Sequence, residues 1–271
     1  MLSQPYEEVI CYKGAHIYKY EGGGVAGTSG LSFRLVDGDR GRISLDEVKA
    51  NINPDDIHFP KTSVIALENT VNKGGGSYYS LEDIADIASF SRSNGLKMHL
   101  DGARFFNALV ETKDNASDYG RFFDTISICL SKGLGAPVGS LLVGKREYIN
   151  AARRVRKFMG GGMRQAGYLA AAGIYALENN IDRLIHDHTR ARVLGDILIQ
   201  RPWVSKVHPV ETNIVIIKLS TGYTVNEMLD LMQKKGIQAV PFGADEIRLV
   251  THLDFDDYQL DQGVEIIKSI K

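Results

Sequence analysis

Residues 127–135 read Ser127-Ile128-Cys129-Leu130-Ser131-Lys132-Gly133-Leu134-Gly135, an apolar, strand-like run that ends in Ser-Lys before a glycine-rich turn. A second apolar run, 140–143, follows the turn. We predict that Lys132 lies at the mouth of a buried strand, in a desolvated position that makes its amine a nucleophile toward carbonyl groups. On its own, the pattern favours an ordinary surface lysine in a turn between two strands.

A second strand-like run ends at Asp101, in the stretch Lys97-Met98-His99-Leu100-Asp101-Gly102. In open α/β sheets, ligands bind outside the carboxyl ends of the strands, so we predict that Asp101 and Lys132 share one crevice. Pyridoxal phosphate requires such a pair, because a lysine forms a Schiff base with its aldehyde and a carboxylate keeps its pyridine nitrogen protonated. The alternative is that Asp101 only caps a turn.

Strand-like and helix-like patterns alternate along most of the chain, which predicts an α/β fold with a mostly parallel, mixed sheet. Helix starts are indicated at Ser44, with Glu47 at capping-box spacing, and at Ser80. After residue 202 the pattern changes to a strand at 213–218, a helix at 225–235 and a strand at 246–252. We therefore predict a large domain over residues 1–190 and a small C-terminal α+β domain over residues 191–271.

Composition excludes several classes of partner. The formal net charge is −1 and the signs are mixed along the chain, so we expect no nucleic-acid or membrane partner. No apolar run approaches the ~18 residues of a transmembrane helix. The two cysteines, Cys11 and Cys129, lie in apolar runs and are typical of reduced, buried thiols, which favours a cytoplasmic protein. No Cys/His set has zinc spacing, so no metal site is predicted.

One glycine-rich motif matches a dinucleotide-binding pattern but lacks the surrounding elements that this pattern requires. Residues 22–27, Gly-Gly-Gly-Val-Ala-Gly, fit the G-x-G-x-x-G dinucleotide fingerprint, which requires a strand before it and a helix after it. The residues that follow, 31–36, alternate like a strand. We therefore predict a flexible glycine loop here.

Three motifs together resemble the low-specificity L-threonine aldolases, pyridoxal-phosphate enzymes with the aspartate-aminotransferase fold (fold type I). They are the residues 99–104, 127–140 and 160–165, with further matches at 55–59 and 247–253. The likeness runs from about Tyr6 onward. It implies a pyridoxal-phosphate-dependent carbon–carbon lyase that cleaves L-threonine or L-allo-threonine to glycine and an aldehyde, with a role in threonine catabolism and glycine biosynthesis.

The resemblance also implies roles around the cofactor ring. Lys132 would form the Schiff base, and Asp101 would pair with the pyridine nitrogen. His16 would stack on the ring and act near the substrate side chain. His58 would reach the substrate hydroxyl, from a neighbouring subunit of a homodimer or homotetramer with shared active sites. Either histidine is a candidate base for the hydroxyl proton.

Four further residues are implied to bind anionic groups. Ser131 and Arg164 would hold the cofactor phosphate. Arg104 and Arg248 would bind the carboxylate of a small amino-acid substrate, because a planar guanidinium suits bidentate contact. Without the resemblance, each of these residues could equally be an ordinary surface or packing residue.

Compared with the family, the chain begins past a segment that carries a Ser-Gly-Thr turn at a helix N-terminus, a good phosphate site. We therefore expect phosphate binding to rest on Ser131, Arg164 and groups from a partner. Two alternatives stay open: a catalytically impaired, truncated homologue, or another enzyme of fold type I, such as a β-eliminating lyase, an aminotransferase or a racemase.

Overall fold

Six strands form the larger sheet in the computed structural model of the protein, which describes residues 1–270. They are β1 (Glu8–Tyr12), β2 (Ser32–Val36), β3 (Thr62–Glu68), β4 (Lys97–Gly102), β5 (Thr125–Cys129) and β6 (Ser140–Gly144). Their order across the sheet is β2-β1-β3-β4-β5-β6. The first five strands run parallel, and β6 runs antiparallel to β5. The predicted mostly parallel, mixed sheet is confirmed.

Helices connect these strands. They are α1 (His16–Lys19), α2 (Gly24–Ser29), α3 (Leu45–Ala50), α4 (Leu81–Ser93), α5 (Phe105–Thr112), α6 (Ala116–Phe122), α7 (Arg146–Phe158) and α8 (Gly167–Asn179). The predicted capping box begins α3: Ser44 Oγ accepts the Glu47 N–H at 3.2 Å, and the Glu47 carboxylate accepts the Ser44 N–H at 2.8 Å. Ser80 caps α4 through its Oγ, which accepts the Asp83 N–H at 3.1 Å. Both predicted helix starts are confirmed.

The sheet is covered on both faces, as the burial of β3 shows. All seven of its residues are buried. Ile65 and Leu67 belong to the main core, whereas Val64 and Ala66 belong to a smaller cluster on the opposite face. A strand buried on both faces reads as a continuous apolar run, as is typical of parallel sheets.

The C-terminal part forms a second, antiparallel sheet. Its strands are β7 (Val204–Val207), β8 (Ile214–Leu219), β9 (Val240–Pro241) and β10 (Glu246–Val250), in the order β7-β8-β10-β9. Its helices are α9 (Leu184–Leu198), α10 (Val225–Lys234) and α11 (Asp257–Ser269). Leu184 of α9 packs in the main core, while Leu194 and Leu198 pack in the core of the second sheet. The predicted boundary at residue 190 therefore falls within a helix that both cores share.

One local prediction was wrong. The glycine-rich stretch at 22–27 is not a loop throughout, because α2 begins at Gly24 and ends at Ser29. Gly23 and Gly30 flank the helix in left-handed conformations, which glycine adopts without steric cost. Among residues 1–270, no helix is long and apolar enough to cross a membrane.

Candidate active site

The carboxyl ends of four neighbouring parallel strands carry the candidate residues. His16 follows β1, Glu68 ends β3, Asp101 lies near the end of β4 and Lys132 follows β5. The strand order reverses at β1, because β2 pairs with one of its edges and β3 with the other. Ligands bind in α/β folds at such a reversal, outside the carboxyl ends of the strands.

A cavity of about 450 Å³ lies at this edge, lined among others by Arg104, Ser131, Lys132 and His252. Lys132 faces it but is exposed, so the predicted desolvation was wrong. The reason is local: Lys132 stands in the turn beyond β5, and its neighbours Ser131 and Gly135 are exposed as well. The amine is therefore accessible to a ligand in the cavity.

Two arginines in this region have too few acceptors: Arg104 lines this cavity, and Arg248 lines another one. Within residues 1–270, the buried Nε atoms of Arg104 and Arg248 have no hydrogen-bond partner. Burial, and then the charge of Arg248, lower the pKa of Arg104 to about 10. Arg248 donates from Nη1 to Asn72 Oδ1 at 2.7 Å, and its guanidinium lies 5.6 Å from the ring centre of Phe242. Guanidinium groups left short of acceptors fit an anionic ligand such as a carboxylate.

Two carboxylates lie side by side on the adjacent strands. Glu68 and Asp101 are partners in the parallel register of β3 and β4. Asp101 accepts the Ala103 N–H at 3.1 Å. Burial raises the pKa of Glu68, and the nearby charge of Asp101 raises it further. Sequence reasoning missed Glu68, although it ends its apolar strand and Asp101 lies near the end of the next one.

His16 is tied to this edge through both its backbone and its ring. Its N–H donates to Glu68 Oε2 at 2.9 Å. Its Nδ1 lies 2.8 Å from Glu21 Oε1, and its ring centre lies 5.1 Å from that of Tyr20. Because an ionised carboxylate only accepts hydrogen bonds, Nδ1 carries a hydrogen, and in the neutral ring Nε2 then has the lone pair. Nε2 is therefore the atom that can take up a proton.

Of the predicted site residues, Arg104, Ser131 and Lys132 line the cavity, whereas His16, His58, Asp101, Arg164 and Arg248 are outside its lining. The His58 side chain is 80% exposed, and its Nδ1 lies 2.8 Å from Asp56 Oδ1. Arg164 is exposed between α7 and α8 and makes no hydrogen bond or ion pair with the residues that the structure describes. The roles of both residues stay predictions.

Taken together, the α/β fold presents an accessible amine, a carboxylate on the neighbouring strand and two arginines short of acceptors, a set of groups whose chemistry fits a carbonyl ligand and a carboxylate. The donor set fits pyridoxal phosphate at its aldehyde, through Lys132, and at its ring nitrogen, through Asp101. For the phosphate, the cavity offers the hydroxyl of Ser131.

Comparison with known proteins agrees with this chemistry. The profile of the family described as "Beta-eliminating lyase" matches residues 1–221. The low specificity L-threonine aldolase of Escherichia coli O157:H7 is 42% identical over 257 residues, which cover 94% of this chain and 74% of that protein. The chain belongs to the beta-eliminating lyase family, alongside the low-specificity L-threonine aldolases, and the predicted family resemblance is confirmed.

Solved structures confirm the predicted fold. The threonine aldolase of Leishmania major superposes with a TM-score of 0.83 at 20% identity, covering 98% of this chain and 78% of that one. A PLP-dependent aminotransferase from Streptococcus suis superposes with a TM-score of 0.75 at 18% identity, covering 98% and 71%. The chain has the fold of the pyridoxal-phosphate-dependent transferases, on which more than one reaction occurs.

Proposed function

We propose that the protein is a pyridoxal-phosphate-dependent carbon–carbon lyase that cleaves L-threonine and L-allo-threonine to glycine and acetaldehyde. The observation that carries the proposal is that Lys132 and Arg104 line one cavity beyond β5, with Asp101 on the neighbouring strand β4, in a chain 42% identical to a low specificity L-threonine aldolase. By its chemistry the reaction consumes threonine and supplies glycine.

Lys132 would hold the cofactor through its Nζ atom, and Asp101 would keep the ring nitrogen protonated. Ser131 would bind the phosphate, with Arg164 as the further predicted ligand. When bound, pyridoxal phosphate supplies an electron sink for the electrons of the broken Cα–Cβ bond. Asp101 is suited to its role because the Ala103 N–H bond fixes one of its oxygens.

Arg104 and Arg248 would bind the substrate carboxylate. Their Nε atoms are buried donors without acceptors in residues 1–270, so a carboxylate gains hydrogen bonds that the protein does not already make. Asn72 holds Arg248 from the other side. The arginines thereby orient the amino acid before the bond is cleaved.

A base must remove the proton of the β-hydroxyl group, and two histidines are candidates. His16 has its Nδ1 hydrogen directed at Glu21, which leaves Nε2 as the base. His58 is paired to Asp56 in the same manner but is largely exposed in this chain. His16 is therefore the base that the single chain supports, and His58 would need a neighbouring subunit to reach the substrate.

We also propose that the protein is a homodimer or homotetramer with shared active sites. No residue of β6 or α7 is buried in the single chain. Large apolar side chains stay exposed along α7 and α8, among them Phe158 at 91% and Tyr168 at 94%. Monomers seldom leave so much apolar surface exposed. A cytoplasmic location is consistent with Cys11 and Cys129 being free thiols.

Borohydride reduction tests the cofactor site. The purified chain is mixed with pyridoxal phosphate, reduced and digested, and the adduct is located by peptide mass. We expect the adduct on Lys132 and its loss in Lys132→Ala, while Lys145→Ala, which changes another exposed lysine after β6, keeps it. An adduct spread over several lysines and unchanged in Lys132→Ala would refute the site and favour a catalytically impaired homologue.

Product analysis tests the reaction. We expect glycine and acetaldehyde from L-threonine and L-allo-threonine. Pyruvate from L-serine, phenol from L-tyrosine, a transferred amino group or a racemised substrate, without glycine, would instead assign one of the other reactions that the fold supports.

A further inference from the structure

The buried carboxylate of Glu68 connects two parts of the site that are far apart in sequence. Glu68 is the last residue of β3 and is 4% exposed. Oε2 accepts the His16 N–H at 2.9 Å, and Oε1 accepts the Asn72 N–H at 2.8 Å. One carboxylate therefore fixes the backbone at the start of α1 and the backbone of the turn that follows β3.

The turn that follows β3 also binds a residue of the second sheet. The Asn72 side chain accepts a hydrogen bond from Arg248 Nη1 at 2.7 Å through Oδ1, and Arg248 lies on β10. Glu68, Asn72 and Arg248 thus form a chain of hydrogen bonds from the large sheet to the small one. A carboxylate that accepts two backbone N–H groups has little freedom to rotate, so it fixes the two bonded segments relative to each other.

We propose that Glu68 and Asn72 are positioning residues of the amino-acid site: Glu68 holds His16 and Asn72 in place, and Asn72 orients the Arg248 guanidinium toward the substrate carboxylate. The proposal rests on the proposed function for the identity of the ligand. Neither residue touches the substrate, and both act through a residue that does.

The arrangement at Arg248 favours orientation over mere packing. Arg248 has Nη1 bonded to Asn72, while its buried Nε has no acceptor in the described residues. Anchoring one end of a guanidinium leaves the other donors aimed in a fixed direction. Without Asn72, the Arg248 guanidinium can rotate over the Phe242 ring. A single bidentate contact with the substrate carboxylate would then be replaced by several weaker contacts.

Asn72→Ala is the main test. We expect KM for L-threonine to rise about 10-fold and kcat to stay within about 2-fold. The reason is that Arg248, which binds the substrate carboxylate, loses its orientation in the ground state and the transition state alike. Asn51→Ala is the matched control, since Asn51 also makes a side-chain hydrogen bond, to Glu47 O, but at the end of α3. The control should leave KM and kcat unchanged.

A double-mutant cycle separates positioning from folding. If Asn72 acts through Arg248, Asn72→Ala should change KM by less than about 2-fold in an Arg248→Lys background. A full 10-fold rise in that background would overturn the proposal, because Asn72 would then act independently of the guanidinium. An unchanged KM in the single variant would overturn it as well.

A binding measurement keeps this test independent of threonine cleavage. Glycine, the smallest α-amino acid, is titrated into the protein loaded with pyridoxal phosphate, and binding is followed by absorbance. We expect Asn72→Ala to weaken glycine binding about 10-fold. If the wild type binds glycine but does not cleave threonine, the proposed reaction is wrong. The ratio of the glycine affinities of the wild type and Asn72→Ala still tests the positioning role.

Glu68→Gln tests the other half of the proposal, with crystal structures of the cofactor-free proteins as the readout. A glutamine offers one acceptor oxygen, so one of the two N–H bonds is lost. We expect His16 or the Arg248 guanidinium to shift by about 1 Å or more, enough to impair catalysis. Both groups unmoved in a folded Glu68→Gln protein would overturn the role of Glu68.

Discussion

Arg104→Met should make the protein more stable and less able to bind its substrate. The lowering of the Arg104 pKa from 12.5 to about 10 corresponds to about 3 kcal/mol against the charged form in the folded state. This cost is fully present below pH 10 and disappears as the pH rises through the unfolded value. At neutral pH, methionine removes the charge and keeps much of the side-chain volume, so we expect the free energy of unfolding to rise by about 1–3 kcal/mol.

Urea unfolding of the cofactor-free proteins measures this effect. Arg190→Met is the matched control, because Arg190 is 12% exposed yet partnered: Nε donates to Asp257 at 2.7 Å and Nη1 to Phe255 O at 2.8 Å. We expect the control to lose about 1–3 kcal/mol. If Arg104→Met were destabilised like Arg190→Met, Arg104 would be satisfied within the chain, and its assignment to an anionic ligand would be refuted.

Four further predictions concern single groups. Asp101→Asn should slow threonine cleavage by about 10²–10³-fold at unchanged urea stability, and full activity in glycine release would contradict its role beside the cofactor ring. Ser44→Ala should lower the free energy of unfolding by about 1 kcal/mol through loss of the capping box, and an unchanged urea midpoint would argue against it. Burial raises the pKa of Cys11 to about 12, so iodoacetamide at pH 8 should label it only after unfolding, as peptide mass would show. Because the folded-state pKa of Glu68 is raised, the stability of the wild type relative to Glu68→Gln should fall as the pH rises above 4.5, and a rise in the same urea series would contradict this.

Local patterns sufficed for much of the fold. Ser44 and Ser80 marked helix starts by a mechanism that needs no tertiary context, and alternating strand and helix patterns sufficed for the mostly parallel sheet. The short helix α2 escaped prediction because its glycine-rich sequence has low helix propensity.

The candidate site was harder to predict than the fold, because hydrogen bonds between distant segments build it. Lys132 and Asp101 stand at strand ends, where sequence reasoning looks for them. Glu68 ends its strand in the same way, but its link to His16 spans 52 residues and the Asn72–Arg248 bond spans 176. No local pattern carries information about such pairs.

The charges at the strand edge explain why an anion should bind to a chain whose formal net charge is −1. The edge carries Lys132 and Arg104, and β10 of the second sheet adds Arg248, against the two carboxylates Glu68 and Asp101. Burial raises the pKa of Glu68, and the neighbouring charge of Asp101 raises it further. A substrate carboxylate would accept hydrogen bonds from the Nε atoms of Arg104 and Arg248, which are unpartnered within residues 1–270, so that binding should stabilise the folded protein.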